Sequence, residues 1–350
     1  MLNNLSIDRL PLVTISSFIL ITSIIVGAML GHFVPVTGEW LGNRVDYTLL
    51  TLVALLFFGA RFDALFKIAK RLDFLAIALF TNFVAVPVIG YGTASLFLSA
   101  HPLFAVGLVI YFMAPCTDWF LSFTRLSGGN IALGTVLIPI NMTVQLLLFP
   151  FYLDWFAQNS VQVEAGLISS TLLQWFLLPL LVAIALHQCL RRLLKPILFE
   201  RILDKADKTT LWLTAVVIMQ IFAGNISMII AHHNVLVLVL IAVFAFFLLT
   251  FLLSEGLSYF CSLRYPERAL LTMTTAARNA PLMLAVTVVV LPDQPLIYAA
   301  LVIGMLVEMP HLTILRYLLL RKRQRLRKIK NLQHLRTDRK EYNGLGQRYQ

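Results

Sequence analysis

Charge is scarce in this chain. Only 13% of its 350 residues are Asp, Glu, Lys or Arg, against roughly 25% in a soluble domain, while 59% are hydrophobic and the mean hydropathy is +0.84. That deficit excludes an ordinary water-soluble globule and indicates an all-α polytopic membrane protein. Cysteine is equally sparse: Cys116, Cys189 and Cys261 are far apart, odd in number and without a Cys-x-x-Cys pair, so neither a disulfide framework nor a zinc site is indicated. No Gly-rich phosphate loop, ATP-binding cassette or extended soluble domain stands out. Any active movement of solute by such a chain would have to draw on an ion gradient, one charge moved across 100 mV being worth ~2.3 kcal/mol.

The net charge of +11 raises nucleic acid as a partner, but the placement of the charges argues against it. Arg321, Lys322, Arg323, Arg325, Arg327, Lys328 and Lys330 follow the last apolar run. A juxtamembrane basic cluster reads as a cytoplasmic anchor to anionic lipid.

Ten apolar runs of roughly 20 residues, the length that crosses ~30 Å of hydrocarbon, lie near 12–34, 46–64, 74–98, 102–124, 131–155, 166–190, 209–231, 234–262, 268–291 and 295–319. The first is preceded only by Arg9 and lacks a small-residue cleavage site, so it is expected to be retained. With the N-terminus inside, the outer segments hold only Arg44. Both termini are therefore expected to be cytoplasmic, with residues 1–320 forming the transporter domain and 321–350 a basic tail. Trp40, Trp155 and Trp175 suit interfacial belts.

Two of the runs are interrupted by polar residues and a proline. Met113-Ala114-Pro115-Cys116-Thr117-Asp118-Trp119 interrupts the fourth and Thr274-Thr275-Ala276-Ala277-Arg278-Asn279-Ala280-Pro281 the ninth. Proline cannot donate a backbone hydrogen bond and its ring clashes with the preceding turn, so each helix is expected to break there. Bared backbone is tolerated in a membrane only where protein or a watered cavity satisfies it, and broken helices are the usual binding elements of secondary transporters. Pro115 and Pro281 are 166 positions apart, and a basic loop at 191–208 separates two sets of five spans. The expectation is two inverted repeats, about 12–155 and 166–319, whose breaks cross near the midplane.

These residues resemble a family. Ala114-Pro115-Cys116-Thr117-Asp118 followed by Ser127-Gly128-Gly129-Asn130, Ala277-Arg278-Asn279 with Leu284-Ala285-Val286, and Val307-Glu308-Met309-Pro310 are similar to the signatures of the arsenite-efflux permeases in the bile acid/arsenite/riboflavin transporter superfamily. The resemblance covers roughly residues 12–319. It implies a proton-coupled extruder of arsenite or antimonite, not an enzyme, with no cofactor beyond the proton gradient. Cys116 would then be the transient metalloid ligand and Glu308 the proton-coupling group.

The chemistry of the residues agrees with that implication. Trivalent arsenic and antimony are thiophilic, and a soft thiolate favours soft centres. Cys189 and Cys261 fall near span ends, so one sulfur with hydroxyl or amide oxygens is expected, which permits release as well as binding. The competing reading makes Cys116 a small buried residue. The half-helix start after Pro115 favours an anion at Cys116, whereas a charged Asp118 opposes it. Asp118 itself reads either as an N-cap or as part of a cation site. Glu308 lies mid-span, where an ionised carboxylate is costly and usually faces the bundle interior. It reads as a proton carrier or as a fixed partner of Arg278.

Asn141 and Gln145 lie near the position equivalent to Glu308 in the first repeat, and Thr117, Thr275 and Asn279 can hydrogen-bond a neutral metalloid hydroxide. Such side chains also bond across membrane helices without a substrate, which suits Gln220 and Asn225 better. Glu255 and His187 receive no role. Two other functions fit the same pattern: a sodium-coupled symporter of an organic anion, driven by a sodium gradient, and a non-transporting membrane sensor.

Overall fold

The structure is a computed structural model that describes residues 10–59, 71–117, 119–157 and 178–346. Asp118, the end of the second expected span and the start of the sixth lie outside the described residues. Among the described residues fourteen α-helices follow in order: α1 Leu10–Phe33, α2 Pro35–Gly42, α3 Val45–Gly59, α4 Leu72–Phe80, α5 Val86–Leu98, α6 Pro102–Met113, α7 Trp119–Leu126, α8 Ile131–Ala157, α9 Leu178–Leu193, α10 Pro196–Ala231, α11 His233–Phe260, α12 Tyr265–Ala276, α13 Ala280–Val290 and α14 Pro295–Gly346. A π-helical turn, Thr81–Ala85, joins α4 to α5. Among the described residues the one isolated bridge pairs Pro115 with Arg278.

Five stretches are long and apolar enough to cross a membrane alone, or six if the bent pair Pro35–Gly42 and Tyr47–Gly59 is one span. Pro102–Met113 and Ala280–Val290 are shorter apolar helices. The burial pattern is that of a lipid-embedded protein. On α11, Val237, Phe244, Leu248 and Leu252 are exposed while Thr250, Ser254 and Ser258 are buried. Water would penalise that inversion, whereas lipid favours it.

The helices form two groups. In one, α1, α2, α3 and α9 pack around α10; in the other, α4 to α8 pack with α11 to α14. The groups meet where α14 touches α1 and α10, and where α13 touches α3. Small residues let the first group close tightly. A Cβ on Gly27 would lie 2.4 Å from Met219 O, and one on Gly31 only 2.1 Å from Ala223 O. This is the Gly-x-x-x-Gly type of membrane contact.

One expectation, the loop at 191–208, needs correction. The segment 191–208 is mostly helix, because α9 runs to Leu193 and α10 starts at Pro196, with proline in its first turn where no N–H is needed. The stretch before the second span forms α2. The basic tail continues α14 as helix to Gly346. The register of the two breaks also differs from the proline spacing. Pro115 pairs with Arg278, 163 positions later, and α6 (Pro102–Met113) is matched at that same offset by α12 (Tyr265–Ala276). Pro281 instead occupies the first turn of α13, where it is easily accommodated.

Candidate functional site

Ala114 is extended (φ −100°, ψ 109°), as a residue preceding proline is driven to be. Ala277 is extended as well (φ −80°, ψ 135°). The two extended segments run antiparallel and satisfy each other. Cys116 N donates to Ala277 O at 3.0 Å and Asn279 N to Ala114 O at 2.9 Å. Backbone groups bared by two helix breaks are thereby paired inside the fold, as burial away from water demands.

Arg278 is 1% exposed at this crossing. Its Nη1 donates to Phe112 O at 3.0 Å, and its Nη2 donates to Thr274 O at 2.9 Å and Thr275 O at 2.6 Å. These carbonyls belong to the last turns of α6 and α12, the negative ends of both helix dipoles. The Phe246 ring, stacked on Phe112 at 3.7 Å, lies 5.9 Å from the guanidinium carbon.

Cys116 is 1% exposed, and its Sγ accepts from Trp119 N at 3.3 Å. The sulfur thus sits at the start of α7, where backbone N–H groups favour negative charge. Thr117 Oγ1 accepts from Asn279 Nδ2 at 3.2 Å. Thr275 turns its hydroxyl to its own helix, at 2.9 Å from Leu271 O. Glu308 reaches the crossing through Tyr111, whose hydroxyl lies 3.0 Å from both Glu308 Oε2 and Gly304 O. Tyr111 also interacts electrostatically with Arg278 and Cys116, which ties acid, thiol and guanidinium into one neighbourhood.

On the other side of the crossing the groups are amides. Asn82 Nδ2 and Asn141 Nδ2 approach Thr274 Oγ1 at 3.0 and 3.5 Å. Buried and without a hydrogen-bond partner are Asn82 Oδ1, Asn141 Oδ1, Asn279 Oδ1 and both polar atoms of the Gln145 amide. Asn82 lies in the π-helical turn, and such turns leave carbonyls unpaired. Tyr152 OH supplies a partner for one of them, Phe83 O, at 2.6 Å.

The structure therefore gathers Pro115, Cys116, Thr117, Arg278 and Asn279 at the crossing, links Glu308 and Asn141 to it through Tyr111 and Thr274, and places Gln145 one turn beyond Asn141. Asp118 lies outside the described residues. Sequence reading missed Asn82 and Tyr111. Asn82 carried a usable signal as the one amide in the third span, whereas Tyr111 was hidden in an apolar run.

Charged residues away from the crossing are tied together at helix ends. Glu255 binds Arg268 and also Lys322 Nζ at 2.7 Å, joining α11, α12 and α14. Glu267 binds Arg71 and Arg264, the latter at 2.7 Å. Burial opposes ionisation of Glu267, but its bonds from Arg264 and Arg71 outweigh that and hold the carboxyl below the usual range. His187 is buried with Nδ1 2.9 Å from Phe58 O, a packing role. Among the described residues no group of three or more His, Cys, Asp or Glu converges on a metal site.

Residues 47–232, slightly more than half of the chain, match the Sodium Bile acid symporter family. The chain belongs to that family. The matched part of this symporter-family chain includes the first break, Asn82, Asn141 and Gln145, and ends before the second break. A relative extends the likeness: the arsenical-resistance protein Acr3 of Corynebacterium glutamicum is 25% identical over 285 residues, covering 74% of this chain and 73% of that protein. The motif resemblance to arsenite-efflux permeases is thereby upheld. The family member described here is a multi-pass membrane protein of a transporter family, and arsenical resistance is the property named for its relative.

Proposed function

We propose that the chain is a secondary transporter that moves trivalent metalloid, arsenite or antimonite, out of the cytoplasm in exchange for protons. The observation that carries this reading is the buried crossing, with a thiol at the start of one half-helix and a carboxyl joined to the same crossing through Tyr111. In this reading α6 with α7, and α12 with α13, each form one broken span. Ten spans result, as two inverted five-helix repeats with both termini in the cytoplasm.

The roles follow from the bonding capacities. Cys116 offers one sulfur, a thiophilic contact that can be made and released. The unpaired amide oxygens of Asn82, Asn141 and Asn279 accept hydrogen bonds from the hydroxyls of a neutral metalloid. Tyr111 has a single hydroxyl proton and two acceptors at equal distance. With Glu308 ionised, that proton goes to the carboxylate; with Glu308 protonated, the acid donates to Tyr111 and the tyrosine proton turns to Gly304 O. Protonation is thus relayed from α14 to α6, the helix that carries the break. Cys116, Asn279 and Glu308 are all at most 2% exposed, so substrate enters only when the two helix groups move apart, as alternating access requires.

Everted vesicles loaded by an imposed proton gradient test this directly. Wild type accumulates arsenite, Cys116→Ser abolishes accumulation, and Cys189→Ser and Cys261→Ser, at exposed positions, leave it intact. Equal accumulation by Cys116→Ser removes the assigned ligand. The family match favours one second reading, sodium-coupled uptake of an organic anion. Sodium-dependent anion uptake, with no effect of arsenite on growth, would establish it instead.

A further inference from the structure

Three carbonyl oxygens, of Phe112, Thr274 and Thr275, at the ends of α6 and α12 all accept from one guanidinium, the first from Nη1 and the other two from Nη2. Inside a membrane, half-helix C-terminal ends and unwound carbonyls are the groups with which transporters hold a coupling cation. Here a side chain of the protein takes all three, and it is a guanidinium, which carries its charge at any physiological pH. We propose that Arg278 is a tethered cation in the place a coupling sodium ion would take at the crossing, so that sodium drives no transport through this position.

Several features fit a resident cation better than a neutral peg. The guanidinium serves both half-helices at once, through different nitrogens. It faces the Phe246 ring, a surface suited to positive charge. It lies in the same buried neighbourhood as Glu308, which Tyr111 joins to α6, so an ionised carboxylate there has a positive charge near it. Since it cannot dissociate, the charge moves with the crossing and cannot be exchanged for an ion from either side. The inference concerns coupling, and goes beyond the identity of the substrate.

Thermal unfolding of the purified full-length protein, titrated with sodium, potassium and choline chlorides, gives the test. Wild type is expected to show no saturable sodium-specific stabilisation. Arg278→Ser empties the carbonyl cage and is expected to gain one, with sodium or millimolar guanidinium raising its melting temperature. In vesicles the same variant loses transport ~10- to 100-fold, as expected when buried acceptors lose a charged donor, and either cation restores part of it. A cavity or packing defect alone would show no preference among cations. A saturable sodium response in wild type overturns the proposal, and so does a folded Arg278→Ser protein that responds to neither cation. Should Arg278→Ser not fold, the wild-type titration and Arg278→Lys still decide: a sodium-specific response in either rejects the tethered cation, and its absence in both supports it. The thermal measurement uses no substrate, so its outcome stands apart from whether the chain moves arsenite.

Discussion

On one side of the crossing Tyr111 of α6 faces Gly304 and Glu308 of α14. At the equivalent positions, 163 residues away in sequence, Thr274 of α12 faces Asn141 of α8, and Glu308 is replaced by Gln145. The packing beneath repeats too. A Cβ on Gly107 would lie 2.5 Å from Ile297 O, and at the equivalent pair one on Gly134 would lie 3.1 Å from Leu270 Cδ1. These contacts recur at one offset while their chemistry does not: one side of the crossing pairs an acid with a tyrosine hydroxyl, the other gathers neutral amides around Thr274. In the proposed function that asymmetry separates the two tasks at the crossing, the acid side handling the proton and the amide side the uncharged cargo.

The most severe way to erase that difference is Glu308→Gln, which puts an amide on both sides. Proton-driven accumulation in vesicles is expected to fall about 100-fold, the scale of a lost positioned proton carrier, with arsenite binding retained. Adding Gln145→Glu to that variant moves the acid to the other half. Because Thr274 and not a tyrosine faces that position, no recovery is expected; wild-type transport by the double variant would mean that the halves are interchangeable. A milder change is Tyr111→Phe, which removes the hydroxyl shared by Glu308 and Gly304 and should lower transport ~10-fold. On the amide side, Asn82→Leu is expected to raise the half-saturation concentration of arsenite several-fold at nearly unchanged maximal rate, the mark of lost uniform binding. The smallest effect is expected outside the crossing. Glu267 is held below the usual carboxylate range, so its stabilisation is present above its unfolded-state pKa and is lost as pH falls through the folded-state value. Glu267→Gln should melt a few degrees lower near neutral pH and converge with wild type on acidification.

Much of this frame was legible in the sequence because a membrane leaves the chain few choices. Apolar length announced the helices, and the two polar, proline-bearing interruptions announced the breaks. Prolines were a less faithful guide to register. Pro115 forces Ala114 to extend, but Pro281 sits comfortably in a first helical turn, and the residue that Pro115 pairs with is Arg278. Asn82 escaped because its importance arises from a π turn and from Thr274, 192 positions away, and neither is a local property. Tyr111 escaped because a tyrosine in an apolar run shows its hydroxyl only once Glu308 has been folded against it.

Helix α14 runs unbroken for 52 residues from Pro295 to Gly346, ~78 Å at 1.5 Å per residue. Less than half of that length fits within a bilayer's hydrocarbon of ~30 Å, so the remainder stands clear of the membrane like the free end of a tiller. A tilt of a few degrees where Glu308 is seated becomes a sweep of several ångströms at the far end. A spectroscopic probe attached there would report, from the aqueous phase, each excursion of the acid buried below.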